Sequence, residues 1–514
     1  MKKSKFISIL LLVVLLFTSC GKSEIKEEKK EPQINGVITL QMRSGGVFNP
    51  LAVTNHNDRD IYSLCYEPLF TVGSEIEPVG VLAQGITISD DCMNAVVTLK
   101  DSVLWHDGIS LTSNDVAYTI KLLKENGQWE YFGCIKYIDT VEIIDNLTFR
   151  INLTRPYAQI TYSLTFPIVA EHNRELDSKI IGTGPYRFSA YTPETTLELI
   201  KNDSWHGGEV NCDKVNINII KDDTAVTTAF NAGLLSAVTD ESFDTENYSP
   251  KAGTKMYSYP STEFEYMVLN QAPEGLFASQ NIRSAISYAI DRSAIVNECY
   301  NGKATETNSP VHPLSRDVSE TSIQSQYSIA NSSEMLFLEG YTLDENSGLL
   351  KNSDGESFRF ELLVNDENFS RIKTADLIAK QLFAVGIDVK VKILPFEEYV
   401  EKIINGEYDA YLGGTRLGNF YDFEPILSYG GTLNNYGYSG ENIAPALDVL
   451  NTALGKDRLS DAIFNFEEVF LREQPIVGIL FKNRTLLTSD SVSGNINPGV
   501  NNPYKDIYCW SVPK

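Results

Sequence analysis

The side chains able to do chemistry are dispersed along this chain. The five histidines, His56, His106, His172, His206 and His312, stand apart and form neither a HExxH pair nor another spaced ligand set. No G-x-S-x-G elbow, G-x-x-x-x-G-K-[ST] loop or G-x-G-x-x-G turn occurs, so serine-hydrolase, P-loop and dinucleotide signatures are absent. Asp344, Asn346 and Gly348 match half of a calcium loop, but Leu349 stands in place of its glycine and Gly355 in place of its bidentate glutamate, which predicts an ordinary turn. Glu397 and Glu398 sit where a helix should begin and serve its dipole. Cys65, Cys92, Cys134, Cys212, Cys299 and Cys509 are scattered without C-x-x-C spacing, so buried, reduced thiols are expected. The pattern predicts no metal, no cofactor and no catalytic centre, and points to binding.

One further cysteine has a chemical setting of its own. Lys2, Lys3 and Lys5 precede an apolar stretch, Phe6 to Phe17, that ends at Thr18-Ser19-Cys20-Gly21. This is the build of a signal peptide, too short to span a bilayer. A cysteine at the cleavage point resembles a bacterial lipobox, with Phe17 in place of the usual leucine. Cleavage would leave Cys20 as a lipid-bearing N-terminus, held on the outer membrane surface by acyl chains at about 0.8 kcal/mol per buried CH₂. Residues 1–19 are then the lipoprotein signal peptide, and the mixed charges of 20–33 read as a solvated tether. The expected location is outside the cytoplasm, at the cell surface or in a periplasm.

The body must position whatever is bound. Its 514 residues are enough for several structural units, and 42 % hydrophobic residues with 26 Tyr and 24 Phe can fill large cores. The formal charge of −25, from 43 basic and 68 acidic residues, is the wrong field for a phosphate backbone, so nucleic acid is excluded as a partner. Ile34 to Gly85 reads as strand-like, Ala95 to Leu99 as a strand, and Thr112 with Asp115 as a capping box opening a helix to about Glu125. Tyr137 to Leu153 reads as a hairpin around Asp145-Asn146. One helical face runs from Ile282 to Val296. A strand at Phe358–Val364, a helix from Ile372 to Phe383 closed by Gly386, and a strand at Ile387–Ile393 make a β-α-β unit, followed by a helix at Pro395–Ile404. The fold class is α/β.

A series of short motifs then appears in a fixed order. Asn49-Pro50, Tyr66-Glu67-Pro68-Leu69, Pro78 with Leu82-Ala83, and Trp105-His106-Asp107-Gly108 lead to Gly182-Thr183-Gly184-Pro185-Tyr186 and Asn202 with Trp205. Asn281-Ile282-Arg283, Asp291-Arg292, Glu339-Gly340-Tyr341, Gln381-Leu382 and Gly406 with Tyr408-Asp409 follow. Together they resemble the family 5 extracellular solute-binding proteins of bacterial ABC importers, the oligopeptide and dipeptide binders. Most of these motifs are scaffold; the GTGPY segment, for instance, supplies glycine-permitted dihedrals before a strand.

The resemblance implies a two-lobed, periplasmic-binding-protein-like fold (type II, the Venus-flytrap arrangement) with an extra small α+β domain. Lobe I would comprise 34–60, 182–265 and 486–514, the extra domain 61–181 and lobe II 266–485, with crossings near Tyr266–Asn270 and Phe481–Thr485. It also implies a monomer that captures oligopeptides for ABC permease and ATPase subunits without being an enzyme. Nickel chelates, oligosaccharides and signalling peptides are the alternative solutes, and an exported hydrolase is the remaining alternative. The ligand segment would be Thr415 to Asp422, including Arg416, Asn419, Phe420 and Tyr421, opposite Thr54, Asn55 and His56. In oligopeptide binders an Asp here accepts the peptide's α-ammonium. Aligned on Glu424-Pro425, that position falls on Tyr421, with Asp422 one residue later. Either a one-residue bulge restores the carboxylate, or the ligand lacks a free ammonium, or Asp422 caps the next helix.

Overall fold

The computed structural model describes residues 36–513 apart from 45, 47, 74–75, 241–247, 249–252, 316–326 and 419. The expected signal peptide, the tether, Cys20 and Asn419 lie outside the described residues. Two smaller sheets and one long one organise the chain. The first orders Val37–Met42, Lys214–Ile219, Thr196–Lys201 and Tyr186–Thr192, with the first pair parallel. The second is antiparallel: Ala83–Ile88, Asn94–Leu99, Thr148–Leu153 and Ile138–Ile143. Both cover a single apolar core that runs from Ile38 through Phe149 and Ile217 to Trp510.

Local signals account for many elements. Asp115 Oδ2 accepts from the backbone N–H of Thr112 at 2.8 Å, closing the box that starts helix Ser113–Glu125. Arg359–Asn365 and Asp388–Leu394 pair in parallel across helix Phe369–Phe383, the β-α-β unit. Asp344 turns between two short strands and pairs with Lys351 at 2.7 Å. Elsewhere the structure departs from the sequence reading. His56–Tyr62 is helical, not strand-like, because the Asn55 side chain accepts from Asn57 N–H and starts a helix. The helical face from Ile282 is broken into Gln280–Ala289 and Arg292–Cys299, since Asp291 is extended and caps the second helix. Gly182 and Gly184 do not have positive φ. They are required for space: a Cβ on Gly182 would meet the carbonyl oxygen of Cys65 at 1.8 Å. All six described cysteines are free thiols, but only Cys65, Cys92, Cys212 and Cys299 are buried as expected; Cys134 and Cys509 are partly exposed.

The long sheet joins the two halves of the molecule. Its strands Thr254–Leu269 and Val477–Ser489 run antiparallel, with Ala237–Asp240 at one end and Ala410–Arg416, Arg359–Asn365 and Asp388–Leu394 at the other. At about 3.3 Å per residue the 16-residue strand spans roughly 50 Å. Tyr259 and Leu486 belong to the first core, whereas Phe264, Tyr266 and Phe481 belong to a second. The register shifts between Pro260 and Phe264, where the two cores part. Asn501 braces this shift from a left-handed conformation, φ 52°: its side chain accepts from Thr262 N–H at 3.3 Å and donates to Thr262 Oγ1 at 3.0 Å.

Beside the shift the crossing strand carries two carboxylates. Glu263 contacts Arg484, Arg416 at 3.3 Å and Lys482 at 3.7 Å; Glu265 contacts Lys482 and Arg371, both at 2.8 Å. Burial opposes ionisation of Glu263, but Arg484, Lys482 and Arg416 outweigh it and hold the carboxyl at about 2.

A folded-state pKa below the unfolded one means that the stability is present above about pH 4.5 and is lost as pH falls through about pH 2. The size is about 3 kcal/mol. Urea unfolding across this range is expected to show Glu263→Gln losing less stability with acid than the unsubstituted protein; parallel profiles would contradict it. Gly182→Ala, which overpacks backbone against backbone, is expected to cost about 1–3 kcal/mol in the same assay at neutral pH.

Candidate functional site

The cleft between the two cores holds a cavity of about 240 Å³. One wall is the helix His56–Tyr62, whose 3.6-residue turn puts His56, Arg59, Asp60 and Ser63 on the cavity side. Asp58, between them, turns inward, accepting from Arg43 N–H at 2.8 Å and from Ser44. The facing wall is the end of strand Ala410–Arg416 and its continuation: Arg416, Leu417, Gly418 and Phe420. Leu417 N–H donates to Thr262 O at 3.0 Å, tying this wall to the register shift. Thr262, Arg484, Asn501 and Asn502 close the floor, and Glu130, Tyr131, Cys134 and Tyr162 line the side. A second cavity of about 340 Å³, lined by Thr54, Glu263, Glu265, Arg371 and Lys482, shares His56, Arg59, Glu130 and Arg416 with the first.

A chain of alternating charges crosses the cleft. Arg59 Nη1 lies 2.5 Å from Glu130, and Arg416 reaches the same Glu130 oxygen and Glu263, both at 3.3 Å. From Glu263 the chain continues through Lys482 to Glu265 and Arg371, which also donates to Asn365 at 3.0 Å. The first cavity is lined by three guanidiniums, Arg59, Arg416 and Arg484, against two carboxylates, Asp60 and Glu130. In a chain of net charge −25 the cleft therefore carries a local excess of positive charge.

The structure distributes the sequence candidates among different roles. His56, Arg416 and Phe420 line the first cavity, and Thr54 the second. Asn55 caps the helix. Tyr421 is buried and packs edge-on against Tyr162, ring centroids 4.9 Å apart. Asp422 is ion-paired with Lys136, off the cavity lining, with its side chain 14 % exposed. Burial pushes its carboxyl above the usual range and Glu424 adds to this, while Lys136 opposes it. Sequence reading missed Arg59, Glu130, Glu263, Arg371, Lys482 and Arg484. The available signal was Glu263-x-Glu265 and Lys482-x-Arg484, charges repeating at strand period in otherwise apolar segments. Among the described residues no group of three or more His, Cys, Asp or Glu side chains is placed to hold a metal ion.

A family profile described as "Bacterial extracellular solute-binding proteins, family 5 Middle" matches residues 77–437. The oligopeptide-binding protein AppA of Bacillus subtilis is 23 % identical over 539 residues, covering 98 % of this chain and 96 % of the relative. Its solved structure, in complex with a nonapeptide, superposes with a TM-score of 0.68 at 22 % identity, covering 94 % of this chain and 100 % of that one. A nickel ABC transporter structure from Bacillus halodurans gives a TM-score of 0.78 at 18 % identity, covering 94 % and 100 %. With the family profile spanning well over half the sequence and this two-lobed periplasmic-binding-protein fold beneath it, the chain belongs to the bacterial extracellular solute-binding proteins, family 5.

Proposed function

We propose that this protein captures oligopeptides in the cleft between its lobes and hands them to an ABC permease and its ATPase, with no chemistry of its own. The observation that carries the reading is the cleft's composition. Both signs of charge and the rings of Tyr62, Tyr66, Tyr162 and Phe420 face one cavity, which suits a zwitterionic chain with apolar side groups. A binding edge supports it. Strand Ala410–Arg416 is paired with Thr254–Leu269 along its length, but its ladder to Arg359–Asn365 stops at Tyr411. The Leu412 carbonyl is taken by the Tyr399 hydroxyl at 2.6 Å, and the edge beyond it, Gly413 to Arg416, can take an extended peptide by main-chain hydrogen bonds, which reads backbone more than side-chain identity. The name of AppA and the nonapeptide in its structure point the same way.

Arg416, Phe420, His56 and Thr54 are the ligand contacts in this reading, with Asn55 and Tyr421 holding them in place. Lobe I comprises 34–60, 182–265 and 486–514, the extra domain 61–181 and lobe II 266–485. Family membership places the protein outside the cytoplasm; we assign its retention there to lipidation at Cys20, acting as a monomer. Closure on ligand is a shift toward the state with higher affinity.

A peptide at 100 times its Kd is expected to stabilise the fold by about 2.7 kcal/mol, read as a thermal shift. Arg416→Gln and Phe420→Ala are each expected to weaken peptide binding by about 1–3 kcal/mol while the unliganded protein still folds. Peptides giving no shift while nickel chelates or oligosaccharides do would replace the peptide with that solute.

A further inference from the structure

The loop that lines the cleft also carries acids that face elsewhere. Gly418 and Phe420 line the cavity, whereas Asp422 and Glu424, two and four residues on, point into the seam between lobe II and the small antiparallel domain. That domain packs in one core with lobe I, so the seam joins the two sides of the cleft. Lys136 pairs with Asp422. Tyr137 donates its hydroxyl to Glu424 at 2.6 Å, Arg155 pairs with the other Glu424 oxygen, and Asn451 donates to that oxygen at 3.3 Å. Lys136 and Arg155 also lie over the Tyr137 ring, 4.6 and 5.2 Å from its centroid. Beyond the ion pairs, Gln159 donates to the carbonyls of Leu450 and Ala453 at 3.2 and 2.9 Å.

The ionic stretch of this seam has the composition of a joint that separates, while Tyr162 packs edge-on against Phe420 and Tyr421 where the seam meets the cavity. Contacts between domains of one chain that move apart are polar, because each face must be solvated when open. Asp422 and Glu424 both have water as an alternative partner and cationic partners when closed. We propose that Asp422 and Glu424 form a latch on Lys136, Tyr137 and Arg155, which holds lobe II over the filled cleft and sets how long the ligand stays. The inference rests on the reading that ligand binds in this cleft, and it assigns Asp422 to closure instead of to an α-ammonium. Because one loop supplies the cavity wall and the latch, a ligand seated against Phe420 positions the acids for their partners. The latch contributes only to the closed state, so its loss shifts the open–closed equilibrium and shows in dissociation.

The test uses the mature protein with Asp422→Asn, Glu424→Gln and Lys136→Met, the last removing a partner without touching the loop. Dissociation is followed by stopped-flow fluorescence with peptides carrying a free, an N-acetylated or a C-amidated end, and the unliganded shape by small-angle X-ray scattering. Each variant is expected to release all three peptides about ten-fold faster, as an ion pair worth about 1.4 kcal/mol would require. Association is expected to stay within two-fold, and the radius of gyration to rise. Lys136→Met and Asp422→Asn together should cost no more than either alone. Loss confined to the free-amine peptide would overturn the latch in favour of an ammonium site, and unchanged dissociation for all three would overturn it outright. If the unsubstituted protein binds no peptide, the cleft reading fails, and the scattering of the variants decides the latch alone: expansion supports it, and superposable curves refute it.

Discussion

Two carboxylates on one strand, Glu263 and Glu265, fix the geometry of everything around them. Taking an ion out of water costs several kcal/mol unless partners replace the lost solvation. Here Arg484 and Lys482 come from the neighbouring crossing strand, Arg371 from the helix of the β-α-β unit and Arg416 from the cleft wall. Each is held where a charge already needs it, so Arg416 and Arg371 face the cleft as preset groups. The register shift at Pro260–Phe264, braced by Asn501, lies beside them.

This arrangement also explains how an acidic protein presents a cleft with more cations than anions. The bulk of the −25 charge lies elsewhere and serves solubility, and it does not report what the site prefers. Local charge in the cleft is set by which residues the two strands and the helix His56–Tyr62 bring together. Glu130 is notable among them: it meets both Arg59, on the helix His56–Tyr62, and Arg416, at the end of strand Ala410–Arg416. One carboxylate therefore ties the two walls of the cleft together.

Much of the fold was legible because its period was strong. The β-α-β unit at 359–394, the capping box at Thr112 and the hairpin around Asp145 each follow from local rules acting on a few neighbouring residues. His56–Tyr62 was not legible, for a physical reason: the helix turns His56, Arg59, Asp60 and Ser63 toward the cavity, so it has no apolar stripe at helical period there. The break at Asp291 was hidden by apolar residues that continue on both sides of it. Gly182 was recognised as special but for the wrong cause, since the approach of the Cys65 carbonyl is a tertiary fact. In the site, the family resemblance pointed to the segment Thr415 to Asp422, of which Arg416, Leu417, Gly418 and Phe420 line the cavity. Partners such as Glu130 and Arg484 lie far away in sequence, and only the folded chain brings them together. Asp422 shows the same limit: the resemblance put it near the cleft, while Lys136, distant in sequence, pairs with it off the cavity lining.

The central claim is that the cleft holds peptides. Native mass spectrometry of the purified mature protein, incubated with an excess of a mixed proteolytic digest, tests it most directly. The claim predicts one-to-one adducts whose released masses and fragments are those of peptides of varied sequence, lost when Arg416 is replaced by Gln. A spectrum with no peptide adduct at saturating digest would contradict it.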